Sequence, residues 1–473
     1  MTSEPKRVHP IALILFLYQS IKGSIFPLIV LFFGLLKTLS LVYLIEIVVG
    51  LLVLVLAVTF LNYWTFTYQI LPSEIIIRNG IFVKKVNHVP FDRIQNVTSN
   101  QWFFLKPFGL EELEIETAGH SEKPEVSLKA VPTTLRTKIN HLRNHSEEIE
   151  EVKHQDNSYA ISTGELWKYS ATSPAFFSGL LAVFALYGNF QNMIDKQITA
   201  GVSNRLAHLN IFLMIFLAIL VLVIFYLVSI FKLFVQYYHF QLVEESGQLK
   251  MSRGFFKTIK TNISMKRIQA IVIRQPLLRS ALKIATIQLV IVSNSSEGDT
   301  EEDIVVMPVI NVSEIDAFFQ RFFPQVPVEK ISVQAQKKTY FYKFRNATPF
   351  ALVTVALLVW LLKFSPWICG ILIILGLLFW YVPAYLSAKR SKVKLSGSLL
   401  VMQSNSLMTK EVAYIPKTSI QMLEKKESIW LEKKHLSAID LSVRSGNSER
   451  NFAISYQPVA DISAVKEWYK KES

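Results

Sequence analysis

Cysteine is almost absent: Cys369 is the only one in 473 residues. No disulfide can form within the chain, which excludes a stapled secreted scaffold. Cys369 lies in a long apolar run and reads as a small hydrophobe. Charge is scarce too, at 18% of residues, and glycine numbers only 17. Glycine-rich phosphate loops have no counterpart here. No G-x-S-x-G, Walker, dinucleotide-binding or H-E-x-x-H pattern occurs, which removes the commonest signatures of hydrolases, nucleotide enzymes and zinc proteases. What is abundant is apolar: 51% hydrophobic residues, with 33 Phe, 17 Tyr and 8 Trp, and a mean hydropathy of +0.33. Disordered chains are poor in aromatics, so that class is excluded as well.

The apolar residues are gathered into runs. A helix needs about 20 mostly apolar residues to cross the hydrocarbon core. Six such helices are expected, near 13–36, 41–62, 174–194, 211–236, 349–362 and 367–387. They fall into three hairpins, each followed by a long polar stretch. The expected division is 1–65 hairpin, 66–168 polar domain, 169–238 hairpin, 239–345 polar domain, 346–388 hairpin and 389–473 polar domain. The first run carries Lys22, which either snorkels from a tilted span or belongs to an interfacial helix. It does not read as a cleavable signal, because another apolar run follows at once with no small-residue cleavage site. Of the 50 Lys and Arg residues, 45 lie in the N-terminus, the polar stretches and Lys232, whereas the links hold only Lys37, Lys196, Arg205 and Lys363. Positive-inside orientation then places the N-terminus and all three polar domains in the cytoplasm of a cell-membrane protein.

The polar stretches repeat one register. Arg93-Ile94-Gln95 returns as Arg267-Ile268-Gln269, and as Ser419-Ile420-Gln421 in the third copy. At fixed offsets stand Gly80, Gly254 and Ser406; Ile75, Leu249 and Val401; Pro90, Ser264 and Pro416; and Leu110, Ile284 and Leu436. Further on come Leu113 with Ile115, Ile287 with Leu289, and Ile439 with Leu441. Within a copy the apolar period is two, so strands are expected, with a hairpin turn at Asn79-Gly80. A short amphipathic helix closes each copy, and Ser313 is the expected N-cap of the second. Pro10, Pro174 and Pro349 each stand near the opening of a membrane hairpin, as suits a first helical turn.

Arg7-Val8-His9-Pro10, the helix pairs and the pattern Gly80…Pro90-x-x-x-Ile94-Gln95…Phe108-Gly109-Leu110 resemble the membrane-flanked bacterial pleckstrin-homology (PH) domain family, long filed as a domain of unknown function. The third copy departs from it at Ser406 and Ser419. The resemblance covers nearly the whole chain. It implies a multi-pass α-helical membrane protein, six helices in three hairpins, carrying three cytoplasmic PH-like domains of antiparallel β-sheet plus a C-terminal helix. It implies no enzyme activity and no cofactor, and it points to envelope stress or tolerance of membrane-active peptides as the setting.

Candidate chemistry is sparse. His141 and His145 share a helix face, as half of a metal site or as a solvated surface. Glu297, Asp299, Glu301, Glu302 and Asp303 lack calcium-loop spacing and read as a hairpin tip. Inside the membrane runs, Lys22 and Glu46 either face each other across the first hairpin or lie near an interface. The clearest functional signal is charge. Domain 239–345 has 15 basic and 10 acidic residues, and the third stretch has 15 and 9. Lys84, Lys85, Arg93 and Lys106 in copy one, Lys257, Lys260, Lys266, Arg267, Arg279 and Lys283 in copy two, and Lys425 and Lys426 in copy three are the candidate lipid- or partner-binding residues. Each basic residue near an anionic leaflet is worth about 1 kcal/mol. The same lysines also serve solubility and orientation alone. The expected function is a non-enzymatic platform at the inner face of the membrane. Its expected partners are anionic phospholipids, and a membrane protein or further copies of itself. Nucleic acid fits poorly, because no recognition helix or aromatic platform is visible. The alternative is a transporter using the Lys22 and Glu46 region, which Glu46→Gln would inactivate.

Overall fold

The computed structural model describes residues 4–35, 40–117, 126–144, 157–173, 211–245, 247–292, 303–327, 337–361, 366–406, 408–446 and 448–471. In chain order, β1 (Lys6–Arg7) precedes α1 (Ala12–Leu35) and α2 (Leu41–Thr65). The first polar copy follows as β2 (Thr67–Ile70), β3 (Glu74–Asn79), β4 (Lys85–Pro90), β5 (Ile94–Trp102), β6 (Leu110–Thr117), β7 (Val126–Pro132) and α3 (Thr134–Asn144). Next come β8 (Asn157–Ala160), α4 (Thr163–Ala171) and α5 (Ile211–Gln236). The second copy is β9 (Gln241–Glu245), β10 (Gln248–Arg253), β11 (Lys257–Ser264), β12 (Ile268–Gln275), α6 (Leu277–Ala281), β13 (Ile284–Ile291), β14 (Ile304–Asn311) and α7 (Ile315–Phe322). After α8 (Lys337–Leu361) and α9 (Pro366–Arg390), the third copy is β15 (Lys392–Ser396), β16 (Leu399–Ser406), β17 (Thr409–Pro416), β18 (Ile420–Lys426), α10 (Ile429–Glu432), β19 (Leu436–Ser445), β20 (Ser448–Pro458) and α11 (Val459–Lys470).

Three stretches among the described helices are long and apolar enough to cross a membrane: Val42–Thr65, Ile219–Gln236 and Cys369–Arg390. Ala12–Ile25 is a shorter apolar stretch. The expected span 174–194, with Pro174, lies outside the described residues. Pro10 does precede the first helix, but Pro349 does not open its own. α8 begins at Lys337 and carries Pro349 inside it, because the polar residues 337–345 continue the helix below the apolar run. α1 and α9 likewise contain Pro27 and Pro383. In membrane helices such breaks are tolerated because neighbouring groups satisfy the freed backbone.

The repeat register is visible in burial. Ile75, Leu249 and Val401 are buried, as are Leu110, Ile284 and Leu436, and so are the pairs Leu113/Ile115, Ile287/Leu289 and Ile439/Leu441. In each copy strands three and four are joined by a short 3-10 turn, at Phe91–Arg93, Met265–Arg267 and Lys417–Ser419. That turn ends one sheet and begins another. In copy one, β2–β4 and β5–β7 share a single apolar core, including Ile75, Ile77, Val97, Leu113 and Leu128, closed by Leu135 and Ile139 of α3. Copy three is built alike, with Leu400, Ile415, Leu441 and Ile454 closed by Ile462 and Val465 of α11. The closing helix of copy two is not capped by Ser313. Residues Val312–Glu314 form a 3-10 turn, and Glu314 takes the N-cap place without a side-chain bond.

Two compact units divide the chain: Met1–His154, Ser162–Gln241 and Lys250–Asn262 make one, and Gln155–Ile161, Leu242–Leu249 and Ile263–Ser473 the other. The boundary runs through the second repeat, and strand pairing explains why. In the first unit one sheet is β1-β2-β3-β4, and in another β5 pairs β6 on one side and β11 on the other. In the second unit the order β14-β13-β12-β17-β16-β15 forms one sheet and β18-β19-β20 a second. Strand four of one copy therefore pairs antiparallel with strand three of the next, twice.

The two joints use one register. At the first, Ser99, five residues after Ile94, pairs with Lys260, eight before Ile268. At the second, Ile273, five after Ile268, pairs with Val412, eight before Ile420. Since a one-residue slip exchanges the two faces of a strand, the recurrence identifies a built joint.

Candidate functional site

The first joint brings cations to the polar end of a membrane helix. The tip of the β10–β11 hairpin closes on the end of α5. Gly254 N–H donates to the Tyr238 carbonyl at 2.8 Å, and Phe255 N–H to the Val235 carbonyl at 3.0 Å. A helix leaves its last carbonyls without internal partners, so the hairpin tip caps this span. Gly254 permits the turn that does so. Its φ is +112°, and a Cβ there would meet the Lys257 carbonyl oxygen at 2.0 Å. Aromatic rings surround the tip: Tyr238 and Phe255 lie 5.0 Å apart, Phe255 and Phe256 4.9 Å, and Phe103 and Phe256 6.3 Å. Of these, the amphipathic tyrosine ring is the kind that concentrates at membrane–water interfaces.

A cavity of 410 Å³ opens beside the tip, lined by Lys106 of copy one and by Tyr238, His239, Gln241, Ser252, Arg253, Gly254, Phe255 and Thr258. Among the described residues no carboxylate lines it. The Arg253 guanidinium carbon lies 4.7 Å from the centre of the Tyr237 ring, and its buried Nε has no hydrogen-bond acceptor among the described residues. Buried polar groups normally have partners. A lysine, an arginine and three hydroxyls around one cavity are a donor set suited to an oxyanion such as a phosphate.

Behind the cavity the joint is held by compensated charge. Lys257 stands directly opposite Trp102, with its Nζ 5.4 Å from the ring centre. Burial pushes its ammonium pKa down, and Glu114 and Glu112 oppose that shift. Burial raises the Glu114 carboxyl, with Glu112 adding to it. Burial likewise raises Glu111, against the hydrogen bond from Ser99 and the charges of Arg136 and Lys260. Arg136 Nε lies 3.8 Å from Glu111. Deeper in copy one, Lys129 donates to Gln19 of α1 and lies 3.9 Å from the Phe16 ring centre. Burial lowers its pKa to about 8.

The other sequence candidates are dispersed. Lys84, Lys85, Arg93, Lys266 and Lys283 are exposed. Arg267 is half-buried. Lys425 pairs with Glu427 at 2.7 Å. Lys426 pairs with Asp440 at 2.9 Å and Glu424 at 3.3 Å, and the Asp440 hydrogen bond raises its pKa. Arg279 is only 5% exposed and donates to the Thr286 hydroxyl, so it serves the interior and faces no lipid surface. Lys22 and Glu46 form no ion pair with each other. Thr59 donates to Ser20 at 3.0 Å, which sets the level of the two antiparallel helices. At 1.5 Å per residue, Lys22 and Glu46 are then about 16 Å apart along the axis. His145 and most of the acidic run at 297–303 lie outside the described residues. Among the described residues no cluster of three His, Cys, Asp or Glu could hold a metal. Tyr238, His239, Ser252 and Thr258 were absent from the sequence candidates. Their signal was the aromatic and basic residues directly after an apolar run and around a turn glycine.

The bacterial PH domain family matches three segments, residues 25–143, 198–323 and 349–473. Over its full length the chain is 26% identical to the "UPF0699 transmembrane protein YdbT" of Bacillus subtilis (strain 168), covering 99% of that protein. Three matched segments that coincide with three structural repeats, flanked by membrane-length helices, place this membrane protein in the bacterial PH domain family.

Proposed function

We propose that this chain is a non-catalytic scaffold of the bacterial cell membrane, with its N-terminus and three PH-like domains on the cytoplasmic face. Three helix hairpins, read from the sequence at 1–65, 169–238 and 346–388, anchor the domains beside the leaflet. The first joint engages an anionic phospholipid headgroup through Lys106 and Arg253. The cavity at the polar end of Ile219–Gln236 carries this reading: it is cationic, has no carboxylate among its described lining, and is flanked by Tyr238 and Phe255. The wider basic surface of copies two and three adds attraction that does not depend on geometry. The setting implied by the family resemblance is envelope defence. A transporter reading gains no support from the first hairpin, where Lys22 and Glu46 stand apart.

The test is lipid retention. The purified chain is reconstituted in nanodiscs containing phosphatidylglycerol or phosphatidylcholine, and co-purifying lipid is counted by native mass spectrometry. Two cations at about 1 kcal/mol each predict that Lys106→Ala with Arg253→Ala weakens phosphatidylglycerol retention about 30-fold. Equal retention by the variant and the parent would overturn the headgroup site.

A further inference from the structure

Among the described residues, the repeated joint leaves one half unused at each end of the repeat series. Strand three of copy one, β4, is the edge of its sheet, and strand four of copy three, β18, is the edge of its own. These are the two halves that meet inside the chain at both joints. We propose that β18 of one molecule pairs with β4 of a second copy in the same register, joining chains head to tail. This deepens the scaffold reading by naming a partner, and it stands whether or not the headgroup cavity binds lipid.

The register makes the proposal specific. Five residues after Ile420 is Lys425, and eight before Ile94 is Val86, so Lys425 would face Val86. At the first joint Phe103 N–H donates to the Phe256 carbonyl at 2.8 Å, and the two rings pack. The equivalent positions in the free halves are Ile429 and Phe82. Phe82 is 96% exposed, Trp430 78%, Ile429 72% and Val83 70%. These are the four most exposed large apolar side chains among the described residues, and all four flank the two free edges. A water-exposed phenylalanine beside an open strand edge is a recognised docking or aggregation feature. Here Phe82 flanks one half and Ile429 the other, at matching places.

Charge fits as well. Lys426 would face Lys85, but Glu424 and Asp440 already hold Lys426 on that face at 3.3 and 2.9 Å. The pairing thus gathers two cations and two carboxylates. On the opposite face Glu427 would meet Lys84. At the second joint the equivalent of Lys426–Lys85 is Arg274–Glu411, an ion pair at 3.5 Å. Opposite charges across paired strands are stabilising. Each chain offers one β4 and one β18, so the contact is heterologous and propagates into a ring or a filament.

The experiment is disulfide trapping in native membranes and in mild detergent, in a Cys369→Ala background. Differently tagged chains carry Val86→Cys and Lys425→Cys respectively, or Asn87→Cys and Glu424→Cys. Hydrogen-bonded and open pairs alternate along antiparallel strands, so one of the two adjacent pairs suits a disulfide. The expected result is a mixed-tag product for one of them, little with the off-register pair Val86→Cys and Met422→Cys, and a ladder of multimers when one chain carries both cysteines. Phe82→Asp should lower the trapped fraction at least roughly tenfold, as loss of an interface anchor does, with an unchanged Tm because Phe82 is fully exposed. Absence of mixed-tag product at both pairs, trapping confined to single chains, or equal trapping off register would each overturn the proposal. Lipid retention is a separate readout, so failure of one reading does not imply failure of the other.

Discussion

Lys129→Met should stabilise the protein at neutral pH, and the gain should shrink as pH rises. Lys129 is 5% exposed, and burial lowers its pKa to about 8 from the ordinary 10.5. Between those values the unfolded chain holds a proton that the folded chain has released. Stability therefore rises with pH across about 8 to 10.5. Below pH 8 the folded state carries the full cost of a buried ammonium, about 3 kcal/mol from a shift of this size. The Gln19 hydrogen bond and the Phe16 ring return about 1–2 kcal/mol of it. Lys129→Met should thus gain about 1–2 kcal/mol at pH 7. By pH 9.5 Lys129 is neutral in nearly all folded parent molecules, and the advantage should fall by about 2 kcal/mol. Thermal unfolding of both proteins in mild detergent at pH 7 and pH 9.5 measures it. For a unit of this size the change corresponds to a relative shift of about 4–8 °C in Tm. Gln19 and Phe16 do not titrate over this range, so the pH dependence reports the charge state of the Lys129 ammonium itself. A difference between variant and parent that stays constant with pH would refute the reasoning.

Gly80→Ala and Gly254→Ala should each lower stability by about 2–3 kcal/mol. Both glycines hold φ near +110°, and in both a Cβ would lie 2.0 Å from a backbone carbonyl oxygen. Only Gly254→Ala should also reduce phosphatidylglycerol retention, since only that turn lines the cavity. Glu411→Gln should destabilise the second joint by about 3 kcal/mol, because it takes the carboxylate from Arg274, which keeps its hydrogen bond to Gln288, and leaves Arg450 its longer pair with Asp303. A double-mutant cycle with Arg450→Gln should return a coupling of about 1–3 kcal/mol, and additive effects would show that the carboxylate does not hold the arginine.

The spans and the repeat were legible for different reasons. A stretch such as 211–236 must satisfy every backbone group within itself when surrounded by lipid, so apolar length alone marks it, and α5 ends at Gln236. The repeat was legible because equivalent core positions keep their apolar character: Leu113, Ile287 and Ile439 are all buried. Lys337–Arg345 was not legible as helix, because its polar residues carry no membrane signal. Copy three shows the limit of local turn chemistry. Ser406 replaces the turn glycine, and the strained backbone moves to Met408, at φ 106°.

The sequence by itself determined the classes of element, the threefold repeat and the apolar faces, since these follow from length, period and transfer free energy. Only the tertiary structure decided which strands meet. Backbone hydrogen bonds do not depend on the side chain that bears them, so nothing in a strand's composition says whether its edge pairs within a copy or with the next. That choice divides the second repeat between two units. It sets Lys106 beside Arg253 across a joint that separates them by more than a hundred residues, and buries Lys257 against Glu114. It also leaves β4 and β18, bearing Phe82 and Ile429, as open edges.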